Sequence, residues 1–217
     1  MGLHAHQQKA FVWEPFLKVI QDEFLLYGLS CNVVDKSAAD SVVKAAFLKD
    51  NSFGKVLVFN HLRGTADEQV IKIKLEIDTN PPAASCTERV VLDFPYVFTI
   101  HTQDLPSLFA GKCHALLCRP YIKGRDWFDF AWYAAQRVLP NYEHLGYALD
   151  QTGPWQGQKT IVTLPWLIAA LSAKIKTIDW EVARADAVRF LHGVQKAGVD
   201  AWSEVFFQAL IDRLAKS

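Results

Sequence analysis

The sequence lacks the features that mark membrane, exported or strongly charged proteins. Its 217 residues carry 23 Lys+Arg and 23 Asp+Glu, so the formal net charge is zero. Any nucleic-acid-binding or membrane-binding surface would therefore have to be a local patch. No apolar run approaches the roughly 20 residues that a membrane span needs, and the N-terminus has no basic-then-apolar signal segment. These absences predict a cytoplasmic protein with no membrane partner.

Disulfide frameworks and the common nucleotide-binding loops are also missing. The four cysteines are scattered and form no Cys-x-x-Cys pair, and a chain of this size needs no covalent staples. We therefore expect free thiols in a reducing compartment. No glycine-rich loop of the Walker or dinucleotide kind occurs, and no Ser/His/Asp arrangement stands out.

The first half of the sequence contains residues typical of strands. The clearest case is 70–78, VIKIKLEID, where apolar and charged residues alternate, as they do in a strand with one buried face. Residues 30–37 predict a short strand. Residues 89–102 predict strand structure that is interrupted near Pro95.

Three further segments complete this half. Residues 11–28 have apolar residues at helical spacing, and Gly28 is a natural end for that helix. Residues 51–60 fit either a strand or a short capped helix. Residues 40–49 are ambiguous, with a strand favoured by Val42, Val43 and Phe47.

From Asp104 onward the pattern is helical, and Asp104 itself is a suitable N-cap. Glycine and proline separate the helical segments from one another. The whole pattern predicts an α+β fold, with a mixed α/β domain over 1–102 and a helical domain over 103–217. The predicted helices are 104–118, 125–138, 142–150, 163–175, 179–191 and 199–215.

Lys112 is an unusual residue within the first of these helices, because apolar residues surround it at helical spacing. An ammonium group among apolar side chains is costly unless it is paired or reaches an anion. The side chain could extend past the apolar stripe to water, or it could be aimed at a phosphate or carboxylate. Arg119 would lie on the same face if the helix continued. The apolar stripe consists of Leu105, Leu108, Phe109, Ala115 and Leu116.

The stretch RPYIKGRDWFDFAW, residues 119–132, opens the next helix with charged residues. Asp126 and Asp129 share a face at i, i+3, and carboxylates in a first turn face the positive helix end. Helix capping, with an Asp–Arg bridge between helices, would account for them. A polar site beside Lys112 that includes Lys123 and Arg125 would also account for them.

The strand at 70–78 offers a second set of candidates. Glu76 and Asp78 project to one side of the strand together with Lys72 and Lys74. Two carboxylates in this arrangement can hold a divalent metal. The alternative is an ordinary solvated face of alternating charges.

Three segments together resemble the AbiEii/AbiGii abortive-infection toxin family: IKIKLEIDTNPP, LPSLFAGKCHALLCR and KGRDWFDFAWY. Members of this family are nucleotidyltransferase-like proteins of the DNA polymerase β superfamily. The match is densest over residues 70–135 and weaker elsewhere. It implies that the α/β half is a partial nucleotidyltransferase-like mixed sheet with helices, followed by a helical C-terminal region.

The resemblance also implies a role for each matching residue. Glu76 corresponds to the third metal-binding carboxylate, with Asp78 as its companion on the strand. Lys112 corresponds to a helical lysine that contacts a nucleoside triphosphate, and Asp126 and Asp129 correspond to catalytic acids of the final motif. Mg²⁺ is the implied metal. The implied substrate-binding residues are Lys112, Arg119, Lys123, Arg125 and Lys74.

One part of the family pattern is missing from this sequence. The first motif of the family ends in Asp-x-Asp on a strand, and no Asp-x-Asp occurs here. Those aspartates and the third carboxylate hold the metals for nucleotidyl transfer. We therefore expect this chain to be the larger, C-terminal part of such an enzyme and to be inactive alone. An open sheet edge would favour a homodimer.

Two functions follow as expectations. The first is transfer of a nucleotidyl group from a nucleoside triphosphate to an RNA or protein acceptor by the intact enzyme, with an antitoxin that acts at the level of transcription. The second is a non-catalytic remnant that binds RNA or a protein. A structural helical module, in which the charged cluster only locks helices together, is a weaker third alternative.

Overall fold

The computed structural model describes residues 14–28, 31–35, 52–61, 69–78 and 80–216. The ambiguous segment 40–49 lies outside the described residues. The chain divides into two compact units, Met1–Pro81 and Pro82–Ser217. No helix among the described residues is long and apolar enough to cross a membrane.

In the first unit, the described residues form one helix and a three-stranded antiparallel sheet in the order β1-β2-β3. Helix α1 packs Leu17, Ile20 and Phe24 with Leu75 of the sheet, and it is followed by Gly28 at a positive φ of 73°. The described elements are α1 (Glu14–Leu26), β1 (Cys31–Asp35), β2 (Ser52–His61) and β3 (Gln69–Asp78).

These elements confirm the helix within 11–28 and the strands within 30–37 and 70–78. They also decide the open choice at 51–60 in favour of a strand. Strand β2 pairs with both of its neighbours, opposite β1 at Val34↔Val56 and opposite β3 at Leu57↔Ile73. Strand β2 therefore forms the middle of the described sheet.

A β-hairpin begins the second unit. Strands β4 (Thr87–Leu92) and β5 (Phe98–Gln103) pair antiparallel, and a cis Phe94–Pro95 peptide lies between them. This arrangement confirms the predicted strand region with its interruption near Pro95. The hairpin falls in the same compact unit as the helices, and the domain boundary that we predicted at residue 102 stays a prediction.

Seven helices follow in the described part of the chain, and they confirm the predicted α+β class with a helical C-terminal region. Asp104 caps the first of them, because its carboxylate accepts the Ser107 N–H at 2.9 Å. The bounds are α2 (Leu105–Cys118), α3 (Gly124–Ala135), α4 (Tyr142–Gln151), α5 (Leu164–Ile175), α6 (Trp180–Val188), α7 (Val194–Val199) and α8 (Glu204–Leu214).

Helices α3, α6, α7 and α8 differ from the sequence prediction by more than two residues. Helix α6 ends at Val188 rather than 191, and α7 lies almost wholly in the gap between two predicted helices. Helix α3 ends at Ala135 rather than 138, and Arg137 has a positive φ of 58°. The region predicted as one helix over 199–215 contains the end of α7 and the separate helix α8, which Ser203 caps through the Phe206 N–H. Capping side chains and positive-φ residues stop helices that periodicity alone would extend.

Aromatic rings form the centre of the helical core. Trp127 meets Phe207 edge-on at a centroid distance of 5.1 Å and Trp180 at 5.2 Å, while Trp180 and Phe207 stack at 4.5 Å. Phe130 also contacts Phe207. We call these four residues the aromatic core. Their packing joins α3, α6 and α8 and fixes the orientation of α3.

Candidate functional site

Helix α2 carries Lys112 at the border of its buried face. We predicted an apolar stripe that includes Leu105 and Leu108, but these side chains are 41% and 39% exposed. Helices α3 and α4 both pack against α2, and the buried face is centred on Cys113 instead. The Lys112 side chain is consequently 36% exposed. The buried residues of α2 are Ser107, Phe109, Ala110, Cys113, Leu116 and Leu117.

Helix α3 is held close to α6 at its first residue. The Gly124 N–H donates to the Asp186 carboxylate at 2.8 Å, which supplies a cap from another helix. A Cβ atom at Gly124 would lie 2.7 Å from the Ala187 backbone nitrogen. Only glycine permits this approach, because backbone atoms cannot move aside as a flexible side chain can. The approach fixes the first turn of α3, where Asp126 lies.

Two cations of α2 and its C-cap meet two carboxylates of α3. Arg119 forms an ion pair with Asp126. The Lys112 Nζ lies 2.6 Å from an oxygen of Asp129 and 3.8 Å from an oxygen of Asp126. We call Lys112, Arg119, Asp126 and Asp129 the charged cluster. Its inner carboxylate, Asp126, has a side chain that is only 3% exposed, so its charge depends on these partners.

This geometry bears on two questions from the sequence. One is whether Lys112 extends to water or meets an anion, and the other is whether Asp126 and Asp129 form an interhelical bridge or a polar site. The Lys112 ammonium meets an anion, and that anion is a carboxylate of the same chain. The Arg119–Asp126 pair is the interhelical bridge that we considered for α3. Because Arg119 is the C-cap of α2 with an extended backbone, it reaches Asp126 from outside the helix and not along a continued helical face.

Lys123 and Arg125 flank the charged cluster. Lys123 is half-buried, and its burial, together with the charges of Arg119, Arg125 and Lys112, lowers the pKa of its ammonium against the opposing effect of Asp126. The Arg125 guanidinium instead lies over the Phe190 ring at 5.2 Å, a cation–π contact with the residues that follow α6.

Two residues near the cluster were missed by the sequence reading. Lys174 of α5 donates to the Arg119 carbonyl at 3.3 Å, and Asp186 of α6 caps α3. Lys174 had a detectable signal in the sequence, because it is a cation among apolar residues, next to Ile175 and three residues after Leu171. Both of these neighbours are buried in the structure. Asp186 had no such signal, because its partner is a backbone group 62 positions away in the chain.

The predicted residues Lys74, Glu76 and Asp78 all lie in β3 of the first unit. Glu76 is paired in register with Gly54 of β2, Lys74 with Val56, and Asp78 with Ser52. The Asp78 carboxylate is exposed and accepts the Asn80 N–H at 2.9 Å. Their predicted roles in binding metal and substrate stay predictions.

The α3 carboxylates do not fit a divalent metal. Both already face cations, Asp126 facing Arg119 and Asp129 facing Lys112, and a metal ion at the same oxygens would be repelled. Over the described parts of the chain, no group of three or more His, Cys, Asp or Glu side chains is arranged to hold a metal. We therefore assign no metal-dependent step to the charged cluster.

Comparison with known protein families assigns the chain to one of them. The family described as nucleotidyl transferase AbiEii toxin, Type IV TA system, matches residues 32–206, and the chain therefore belongs to this family. The resemblance given by the three motifs is confirmed. Nucleotidyltransferases generally use a nucleoside triphosphate and a divalent metal, and a toxin–antitoxin family implies an antitoxin partner. No curated protein and no solved structure matches the chain.

Proposed function

We propose that the charged cluster binds the triphosphate of a nucleoside triphosphate, for nucleotidyl transfer to an RNA or protein acceptor. The observation that carries this proposal is the convergence of Lys112 and Arg119 on two carboxylates at the start of α3. Partly buried cations that already form charge-assisted hydrogen bonds can exchange a carboxylate for a phosphate oxygen of the same charge sign. Family membership supplies the substrate class.

The roles follow from the exposure of the two carboxylates, since the Lys112 and Arg119 side chains are similarly exposed at 36% and 31%. Asp129 is 29% exposed and Asp126 only 3%, so Lys112, which pairs mainly with Asp129, is the cation that turns toward phosphate. Arg119 stays with the buried Asp126 and holds α2 to α3. Lys123 adds positive charge beside the cluster, and the charge of Arg125 acts on Lys123 as those of Arg119 and Lys112 do. Asp129, released from Lys112, would be free to orient an acceptor hydroxyl.

The transfer itself forms one bond and breaks one bond. An acceptor oxygen forms a bond to the α-phosphorus as the bond from that phosphorus to the bridging oxygen of the β-phosphate breaks. The acceptor proton goes to a base, and pyrophosphate leaves with the negative charge of the broken bond. A divalent metal held by carboxylates would stabilise the charge that develops in this step. Glu76 and Asp78 are our candidates for metal ligands in the first unit.

A second function has its own support. The sequence contains no Asp-x-Asp pair, and Asp126 and Asp129 are engaged by cations. Both observations favour a non-catalytic module that binds RNA or a protein through the cations of the charged cluster and their neighbours Lys123 and Arg125. We call these cations the positive surface. The two functions differ in one product: only the enzyme leaves a labelled nucleotide covalently attached to an acceptor.

The test is binding of each labelled nucleoside triphosphate, with Mg²⁺, to the 217-residue chain and to two lysine variants. Lys112→Met should weaken binding about ten- to a hundredfold, because one charge-assisted contact is worth roughly 1.5–3 kcal/mol. The exposed Lys196 provides the matched control, and Lys196→Met should bind like the unmodified protein.

The proposal is abandoned if none of the four triphosphates binds, or if Lys112→Met and Lys196→Met bind equally well. Binding of RNA by a chain that binds none of the four triphosphates would instead select the non-catalytic module.

A further inference from the structure

A small pocket opens beside the charged cluster, where α2, α3 and α5 meet. Its charged lining consists of Arg119, Lys123 and Lys174, with Asp126 as the only carboxylate among the lining residues. Its volume is about 10 Å³, room for about one water-sized group. A single phosphate oxygen could enter this pocket, while the rest of a polyphosphate would lie at its mouth.

Lys174 reaches this pocket from α5. It lies in the last turn of that helix, and its ammonium donates to the Arg119 carbonyl at 3.3 Å. Burial raises the pKa of the neighbouring Cys118 thiol to about 11, and the positive charge of Lys174 opposes that rise. Lys174 therefore adds positive charge at the end of α2, where Arg119 begins the connection to α3.

The charges around the pocket do not cancel. Arg119 is paired with Asp126, and Lys112 is paired mainly with Asp129. Within the described ranges, no carboxylate lies within ion-pair distance of Lys123 or Lys174. Asp126 acts on Lys123 only from beyond ion-pair distance, so two ammonium groups at one pocket remain without an ion-pair partner. Clustered like charges of this kind attract a polyanion.

We propose that Lys174, together with Lys123, binds a phosphate group at this pocket and so extends the polyphosphate site beyond the charged cluster. The inference rests on the proposed function, because it assigns a further contact to the same substrate class. Lys112 would hold one phosphate at the open side of α3, and Lys123 and Lys174 would hold another at the pocket.

A simpler role for Lys174 must be separated from this one. A lysine whose ammonium donates to a carbonyl at a helix C-terminus stabilises that helix end, and the Arg119 carbonyl is such a group. This role predicts lost stability without lost anion binding. Phosphate binding predicts that affinity falls even where the fold is intact.

The experiment is calorimetric titration of the 217-residue chain with inorganic tripolyphosphate in the absence of metal. Lys174→Met should weaken binding about tenfold, and Lys174→Arg, which keeps the charge, should retain most of the affinity. The control is Lys176→Met, because Lys176 is exposed just beyond α5. This variant should bind tripolyphosphate as tightly as the unmodified chain does. Thermal unfolding of each variant reports the helix-end role separately.

A second readout follows Lys123 directly. Bound tripolyphosphate should protect the Lys123 amine from acylation, and Lys174→Met should remove that protection.

Three outcomes overturn the inference: no binding of tripolyphosphate by the unmodified chain, equal affinity of Lys174→Met and Lys176→Met, or a lowered melting temperature of Lys174→Met with unchanged affinity. Tripolyphosphate binding that depends on Lys174, in a chain that binds no nucleoside triphosphate, would leave this inference standing and defeat the proposed function alone.

Discussion

The charged cluster and the aromatic core lie side by side on α3, and they are held together by different physics. Asp126 and Trp127 are consecutive residues, and each whole residue, backbone included, is 2% exposed. The indole packs against rings from α6 and α8, where contact and volume suffice. The carboxylate needs particular partners, because a buried charge without them is strongly unfavourable. Equal burial therefore does not mean equal tolerance to substitution.

The two regions also differ in how their parts are arranged in the chain. The aromatic core draws on residues that are spread from 127 to 207, whereas the charged cluster draws on 112–129. The core thus depends on the whole helical unit. The cluster depends on the connection between α2 and α3, and on the Gly124 approach that positions it.

The largest expected effect is in the aromatic core. Trp127→Ala should lower the free energy of unfolding by about 3–5 kcal/mol, because it removes a large buried ring and leaves a cavity. Trp132→Ala on the same helix is the matched control, since Trp132 is 46% exposed, and it should cost less than about 1 kcal/mol. Urea unfolding measures both. Similar losses for the two variants would contradict the assigned core.

An intermediate effect is expected inside the charged cluster. Asp126→Asn keeps the shape but removes the negative charge that faces Arg119, and it should cost about 1–3 kcal/mol. Asp129→Asn removes the more exposed partner of Lys112 and should cost below about 1 kcal/mol. Denaturation midpoints at constant m-value give the comparison. If Asp129→Asn proved the more damaging change, Asp126 would not be the inner residue of the cluster.

The smallest effect concerns Lys123 and pH. Because burial and neighbouring cations lower its pKa in the folded state, the folded protein holds fewer protons there between the lowered pKa and the ordinary lysine value. This contribution makes stability rise as pH rises through that window. Acylation of Lys123, followed by mass spectrometry, should therefore reach half its maximum rate at a lower pH in the folded chain than in urea.

Asp126→Asn should move this acylation midpoint lower still, because Asp126 is the group that opposes the shift. Coincident folded and unfolded midpoints would mean that Lys123 is fully solvated and does not belong to the positive surface.

Much of the fold follows from local patterns. The alternation in VIKIKLEID identifies β3, and Asp104 and Ser203 cap helices as their types favour. The charged stretch before Trp127 was also recognisable as a candidate site, because charged residues at a helix start need an explanation. Helix α7 is not predicted apart from its last residue, and the predicted helix 199–215 begins five residues before α8 because helical periodicity continues across the cap at Ser203.

The partners of the charged residues were not predictable in the same way. Periodicity predicts an apolar stripe on α2 around Lys112. Packing against α3 and α4 instead centres the buried face of α2 on Cys113. Several faces of α2 carry apolar residues, and periodicity cannot decide which of them a neighbouring helix covers. Lys174 and Asp186 entered the site from helices that are distant in sequence.

The sequence by itself determined most of the helices and the strand β3, and its motifs determined the family. Those signals are local, arising from spacing, capping and residue types within a few turns. Only the tertiary structure decided that Arg119 neutralises Asp126 and that Lys123 and Lys174 share a pocket in which neither has an ion-pair partner. Such pairings depend on how helices approach one another, and that approach is set by distant contacts such as Gly124 against Ala187.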